Sequence, residues 1–320
     1  MMLDHKWLVI VNPNAGNRKG EKDWNKISAI LKKNDIPFFP VFTKHQSHAL
    51  ELTKQYINES FKKIISIGGD GTLNEIVNGI FLQKKYPTRD ISLGAISVGT
   101  GNDWGRMYNI PVDYEEAISV IKAEKTFIQD TGLVEFNNSQ TGDSIDKTEK
   151  KYFINAAGIG FDARVVKKVN DKKSQGKASS KFSYLIDLFS SLFSYRMLQA
   201  NITIDKNEFL ENIFSMSIGI NRFSGGGMKQ LPNAIPDDGL FDIIIIKDIS
   251  KPAVIGNVHK LYDGSIGSHP KASTFKAKTV IVESQSGMML QADGESLGFS
   301  PFKFTIIPKS LKIVVNKYSW

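Results

Sequence analysis

The 320-residue chain has no cysteine. That absence removes disulfides, thiolate zinc sites, iron–sulfur clusters and cysteine nucleophiles together. Long hydrophobic runs are missing too. The first apolar run, WLVIV (7–11), is too short for the core of a signal peptide and leads straight into NPNAG. No uninterrupted apolar stretch approaches the roughly 18 residues of a membrane-spanning helix. A cytoplasmic protein is expected. Acidic charge is in deficit, with 41 lysines and arginines against 33 aspartates and glutamates and a formal charge of +8. A pI of about 9.3 follows. Such a surface suits nucleotide phosphates, nucleic acid or an anionic membrane, and equally suits a plain soluble surface.

What is present is ordered along the chain. Up to about residue 130, apolar runs at 7–11, 38–43, 62–68 and 91–98 read as strands. Between them lie helical stripes such as Trp24, Ile27, Ile30, Leu31 and Leu73, Ile76, Val77, Ile80. Strands spaced by helices of this length predict an α/β domain at 1–130 with a parallel, doubly wound sheet. Beyond it, YFINAA, QANITI, NIFSMSIGI, FDIIIIK, KTVIVES, FKFTII and LKIVV are strand-like. Helices are expected only at 182–198 and 252–263. A mainly β domain, sandwich- or barrel-like, is predicted there. The polar stretches 137–151 and 170–181 read as exposed loops.

Three strands of the first domain end in small or polar loops: NPNAG (12–16), GGDGT (68–72) and GTGND (99–103). In a parallel sheet all three fall at the carboxyl edge, where such sheets bind ligands. Gly68, Gly69 and Gly71 free their amides to face a phosphate, and a helix opening near Leu73 adds its positive end. Three converging loops predict a nucleotide site. The pattern G-x-x-x-x-G-K-[ST] is absent, which excludes a P-loop enzyme.

GGDGT followed by Asn74 and Glu75, with NPNAG before it and GTGND, GIGFDA (158–163) and DGE (293–295) after it, resembles the diacylglycerol kinase-like lipid kinases. Bacterial lipid kinases and sphingosine kinases belong to this family. The motifs occur in family order from Asn12 to Glu295. The resemblance implies an N-terminal nucleotide domain, a lipid-substrate domain at 131–300 and a last segment, 301–320, that returns to the first domain. It also implies ATP, Mg²⁺ and a lipid acceptor, of diacylglycerol or sphingoid type. ATP contacts would come from Asn12, Pro13, Asn14, Ala15, Gly16, Thr43, Gly69, Asp70, Gly71, Thr72, Leu73, Asn74, Glu75 and Thr100, with Gly101 and Asn102 in the same loop. Asp70, Asp103 and Asp130 would organise Mg²⁺ and water beside the phosphates. Asp293 or Glu295 would accept the proton of the lipid hydroxyl. A structural Mg²⁺ or Ca²⁺ would be held by Asp238 with the carbonyls of Ile235 and Leu240.

Read without the resemblance, Asp130 opens a strand, DGE is a hairpin turn, and the aspartates of IPDDG (235–239) precede a strand. An NAD kinase-like phosphotransferase shares GGDGT, but no GSTAY-like segment accompanies it. A phosphofructokinase would need TIDND, and TIDKN at 203–207 lacks the last aspartate. A non-catalytic nucleotide- or membrane-binding regulator is the remaining alternative. G-x-G-x-x-A at Gly158, Gly160 and Ala163 lacks the acidic ribose ligand of a dinucleotide site. His45 and His48 are spaced for a metal without an evident third ligand. The apolar face of 182–198 behind Arg164, Lys167, Lys168, Lys172, Lys173, Lys177 and Lys181 suits either a packed helix or peripheral contact with an anionic membrane. The expected partners are a lipid and such a membrane, not nucleic acid.

Overall fold

The computed structural model describes residues 5–138, 148–174, 190–285 and 287–316. Four strands near the N-terminus, β1 (Trp7–Val11), β2 (Phe38–Phe42), β3 (Lys63–Gly68) and β4 (Ser92–Ser97), pair in parallel in the order β4-β3-β1-β2. The apolar run of β1 is buried throughout because both faces of the sheet are covered. Leu8 and Ile10 pack against α3 (His48–Asn58) and α4 (Asp70–Leu82). Trp7, Val9 and Val11 pack on the other face against α2 (Trp24–Lys33) and α6 (Tyr114–Ala123). The short helices α1 (Ala15–Lys22) and α5 (Asp103–Met107) follow β1 and β4.

The remaining strands are β5 (Thr126–Asn137), β6 (Thr148–Phe153), β7 (Ala156–Gly160), β8 (Leu198–Ile204), β9 (Asn207–Gly219), β10 (Phe241–Lys247), β11 (Ala272–Ala277), β12 (Thr279–Glu283), β13 (Met289–Ala292) and β14 (Glu295–Val314). Their pairings are antiparallel apart from one. Alternate apolar side chains, including Ile202, Met216, Ile218, Ile243, Val280 and Phe304, fill one core between these strands. The exception is β14, which pairs antiparallel with β13, β12 and β5, then parallel with β4 at Lys312 and Ile313. Two expected boundaries therefore fall inside strands: 130/131 within β5, and 300/301 within β14. β5 runs through 130/131 with residues 129–132 all buried, and at 300/301 the pairing of β14 with β5 shifts register between Phe299 and Lys303, so neither boundary is a gap between strands.

The helices of this half, among the described residues, include α7 (Phe161–Ser174), α8 (Lys251–Asn257) and α9 (His259–Asp263). The helix expected at 252–263 is thus two helices meeting at Val258, with Gly264 capping the second at φ +83°. Of the helix expected at 182–198, residues 182–189 lie outside the described residues, 190–194 are helical, and Leu198 already begins β8. Among the described residues, no helix is long and apolar enough to cross a membrane.

Near its end β14 is irregular between Ile307 and Leu311, where Lys309 has φ +45°. Asp130 holds this corner. Its carboxylate accepts from the Lys309 amide and the Gly239 amide, each at 2.7 Å, and its own amide donates to the Pro236 carbonyl at 2.7 Å. Asp130→Ala leaves two amides without an acceptor, at about 1–3 kcal/mol each. Urea unfolding should show a loss of about 2–6 kcal/mol, and Asp130→Asn, which keeps one acceptor oxygen, should fall between.

Candidate active site

The loops after β1, β3 and β4 touch one another at the carboxyl edge of the parallel strands. Asn12 Nδ2 donates to Thr72 Oγ1 at 2.8 Å, joining NPNAG to GGDGT. Asn12 Oδ1 accepts from the Asn14 amide at 3.0 Å and so shapes its own turn. Gly16 has φ +61°, and a Cβ there would lie 1.8 Å from the Val98 carbonyl oxygen. A Cβ on Gly99 would lie 2.7 Å from Gly69 Cα, and one on Gly68 would lie 2.5 Å from Thr72 Cβ. Packing of the loops explains these glycines.

It does not explain Gly69 and Gly71. Gly69 has φ −107°, ordinary for any residue. A Cβ there would meet only Gly99 Cα, at 3.5 Å, and one on Gly71 would meet only Glu295 Oε1, at 4.0 Å. The space before both residues is open. Gly69 is also the N-cap of α4 and supplies no side-chain cap. The first amides of a helix have no intrahelical acceptor, so those of α4 face a cleft that no side chain fills.

Two carboxylates converge beside this opening. A Cβ on Gly101 would lie 2.8 Å from Asp70 Oδ2 and 3.9 Å from Asp103 Oδ2. Asp103 accepts from the Gly226 and Gly227 amides at 2.8 and 2.7 Å, and Arg106 Nε stands 4.0 Å away. The Trp104 amide is 3.5 Å from Asp70 Oδ1. Burial, and then the charge of Asp103, push the pKa of Asp70 up to about 6. Burial also raises the pKa of Asp103. Two under-compensated carboxylates with open space beside them fit an oxygen-seeking divalent ion that keeps several waters, such as Mg²⁺.

Asp293 sits in a turn at φ +49°, directly after β13. Its carboxylate accepts from the amides of Ile154, Asn155 and Ala156 at 2.8, 2.9 and 3.2 Å, and from Asn74 Nδ2 at 2.8 Å. Burial raises its pKa while these donors pull it back down. Four donors match the roughly four lone-pair positions of a carboxylate. Glu295 differs. Its Oε2 meets Lys151 Nζ at 2.8 Å, and its Oε1 is the atom over Gly71.

Several other expected site residues are taken up by fold contacts. Leu73 is buried in the core beneath the sheet. Asn74 is buried, donating to Tyr152 O and Asp293. Glu75 accepts from the Ser47 and Ala49 amides at 2.9 and 3.1 Å and so holds the start of α3. One turn of α4 carries Asn74 above Asp70 and Glu75 above Gly71, where the Asp293 joint and the start of α3 take them up, while Leu73 alone turns into the core. Thr43 is buried, its amide donating to Val11 O. Pro13, Ala15 and Asn102 are half-buried, and Asn14 and Thr100 are exposed on the loops. Asp130 shares no partner with Asp70 or Asp103, because it locks the β14 corner.

Asp238 is not free for a structural ion. Its Oδ1 accepts from the Leu240 amide at 3.0 Å, and its Oδ2 meets Lys276 Nζ at 2.8 Å. Lys276 also stands 3.3 Å from Asp242. An ion held with the Ile235 and Leu240 carbonyls would have to displace this ammonium, so the residues present do not fit it. Near α3, Glu51 joins His45 and His48 with ligand atoms within 4.8 Å of one another. His48 Nδ1 already accepts from the Lys44 amide at 2.9 Å.

Sequence reasoning missed Lys151 and the loop at 224–227. The loop's signal was its three successive glycines, Gly225, Gly226 and Gly227, at φ +62°, +83° and +104°.

The raised pKa of Asp70 has a consequence for stability. The native state binds this proton more tightly than the unfolded chain, so ionisation of Asp70 destabilises the ligand-free protein as pH rises from about 4 through about 6. Without nucleotide or metal, Asp70→Asn should therefore melt higher than wild type at pH 7.5, with the gap closing at pH 4. Thermal unfolding across this range measures it, and a constant gap would contradict it.

Comparison with known proteins agrees with this arrangement. Residues 6–134 match the diacylglycerol kinase catalytic domain family, and residues 155–315 match the YegS C-terminal NAD kinase beta sandwich-like domain. "Putative lipid kinase YtlR" of Bacillus subtilis is 31% identical, over 96% of this chain and 98% of its own. A diacylglycerol kinase of Staphylococcus saprophyticus is 28% identical, over 95% of this chain and 93% of its own. A solved diacylglycerol kinase structure from Bacillus anthracis shares the fold with a TM-score of 0.70 at 22% identity, covering 98% of this chain and 97% of that one. The chain thus belongs to the diacylglycerol kinase-like lipid kinases, with its catalytic domain ahead of the β-sandwich-like domain.

Proposed function

We propose that the protein transfers the γ-phosphoryl group of ATP to a lipid hydroxyl, with a diacylglycerol as the acceptor that the names of its relatives suggest. The observation that carries this reading is the pair Gly69 and Gly71. Neither backbone conformation nor packing requires glycine there, whereas phosphate oxygens approaching the α4 amides do. Asp70 and Asp103 are the residues that would hold Mg²⁺, which would supply charge neutralisation to the transferring phosphate.

Glu295 is the better proton acceptor of the two acids of DGE. Asp293 has all its lone pairs engaged by amides, while Glu295 keeps Oε1 open above Gly71. As the lipid oxygen bonds to phosphorus, the bridging bond to the β-phosphate breaks and ADP leaves. The hydroxyl proton passes to Glu295. Lys151 holds the other carboxylate oxygen and orients the group.

An apolar cavity supports a lipid acceptor. Phe161, Val165, Phe214, Ile244, Ile246 and Leu261 line it, between α7, the β9 and β10 strands and α9. Membrane contact belongs to the same reading. Phe193 is 66% exposed and Met197 40%, with Arg196 between them and Arg164 on α7 (Ser194 bonds its guanidinium). Lys177, Lys181 and residues 182–189 lie outside the described residues.

Incubation with γ-labelled ATP and a fractionated lipid extract should yield one labelled lipid, whose mass gives the acceptor. Label appearing only in inorganic phosphate would contradict the reading. Gly69→Val should fold normally, since its Cβ has room, and lose ATP affinity in a titration. Unchanged affinity would remove GGDGT from the site. Glu295→Gln should lower turnover by about 10²–10⁴-fold, the usual worth of a positioned base. Asp293→Asn should lower both turnover and melting temperature, because it breaks the amide cradle.

A further inference from the structure

The segment GIGFDA has no part in the chemistry above. Gly158 lies within β7, and its φ is outside the left-handed region that favours glycine. A Cβ there would lie 2.2 Å from Asp162 Oδ2 and 2.6 Å from Gln291 Nε2. Glycine at 158 leaves room for those two side chains to meet, 3.4 Å apart.

Asp162 is the second residue of α7 and lines the apolar cavity. Its partners are the side-chain amides of Gln291 and Gln230, and burial raises its pKa. Among the described residues no lysine or arginine pairs with it. A half-buried carboxylate without a counter-charge is costly to fold around, so its presence calls for a role that an apolar residue cannot fill.

That role lies on the far side of Gln291. Gln291 Oε1 accepts from the Gly294 amide at 3.1 Å, in the middle of DGE. Asn170 of α7 donates to the Gly294 carbonyl, also at 3.1 Å. A Cβ on Gly294 would meet nothing within 4 Å, so no packing steadies that residue. Gln291 can support it only with its oxygen toward Gly294 and its nitrogen toward Asp162. A carboxylate accepts and does not donate, which fixes the amide in that orientation.

We infer that Asp162 is a positioning residue that orients Gln291, and through it the DGE turn and Glu295, from the wall of the cavity against which the acceptor's hydrocarbon chain lies. The inference rests on the lipid kinase reading only for its catalytic readout. Gly158, Asp162 and Gln291 form one unit spanning β7, α7 and β13. The cavity wall and the turn that carries the base are thereby joined through two side chains.

The test uses the full-length chain. Asp162→Leu removes the acceptor while filling its volume. Turnover on the lipid should fall about 10- to 100-fold, the effect of misplacing a reacting group by about an ångström. KM for ATP should stay within about twofold, because the glycine loops are untouched. Asp162→Asn keeps an acceptor oxygen and should recover most of the loss. Gly158→Ala, which drives the two side chains apart, should reproduce the Leu phenotype. Hydrogen exchange of the Gly294 amide gives a readout that needs no lipid: faster in Asp162→Leu, restored in Asp162→Asn. Unchanged Gly294 exchange, or a loss accompanied by equal rises in KM for ATP, overturns the inference. A wild-type protein that phosphorylates no lipid while Gly294 exchange still responds overturns the kinase reading and leaves this coupling standing.

Discussion

A half-buried carboxylate sets the register of the two halves, beside the Asn78–Tyr152 hydrogen bonds and the pairing of β14 with β4. Asp293 gathers three successive amides, Ile154, Asn155 and Ala156, and the side chain of Asn74 in α4. Hydrogen bonds to a charged acceptor each contribute about 1.5–3 kcal/mol, and all four act at one point between the β6–β7 turn, the β13–β14 turn and α4. Asn74 lies one helical turn after Asp70. Fixing it to Asp293 therefore fixes where the DGE turn stands relative to the glycine loop. Glu295 comes over Gly71 as a result. Asp293, expected from the resemblance as one of two candidate proton acceptors, has its carboxylate engaged as the peg that sets the register of the cleft.

Electrostatics divides by distance. The chain as a whole carries +8, which draws anions toward it over the range of the Debye length, about 8 Å at physiological ionic strength. The cleft has the opposite local sign. Asp70 and Asp103 converge there, and burial raises the pKa of each. Such a pair is unstable by itself and favourable to a divalent cation that arrives with polyphosphate. Where acids serve the fold, local cations or amides compensate them: Lys276 at Asp238 and Asp242, and the Gly239 and Lys309 amides at Asp130.

Much of the site is legible in sequence because glycine, aspartate and spacing are local signals. GGDGT, NPNAG and GTGND sit at strand ends that periodicity alone identifies, and their meeting follows from a parallel sheet. The direction of side chains just after a motif is less legible. Leu73, Asn74 and Glu75 continue GGDGT in sequence, but helix geometry points them into the core, the joint and the start of α3. Long-range partners were not legible at all. Lys276 reaches Asp238 across 38 positions and Lys309 reaches Asp130 across 179, and no local pattern encodes either. The change of texture near residue 130 is real in composition, yet β5 runs through it, because a strand shared by two layers needs no break. The missing acidic ribose ligand excluded a dinucleotide fingerprint at Gly158 from sequence alone, but not what the glycine is for: it leaves room for a carboxylate and an amide.

The account stands on phosphate approaching the amides at the start of α4. Hydrogen exchange with and without saturating Mg·ATP measures this directly. Slower exchange at residues 69–72 and 100–103, with 236–240 unchanged, is the predicted result. Exchange at 69–72 unaffected by bound nucleotide, with protection appearing elsewhere, would contradict it.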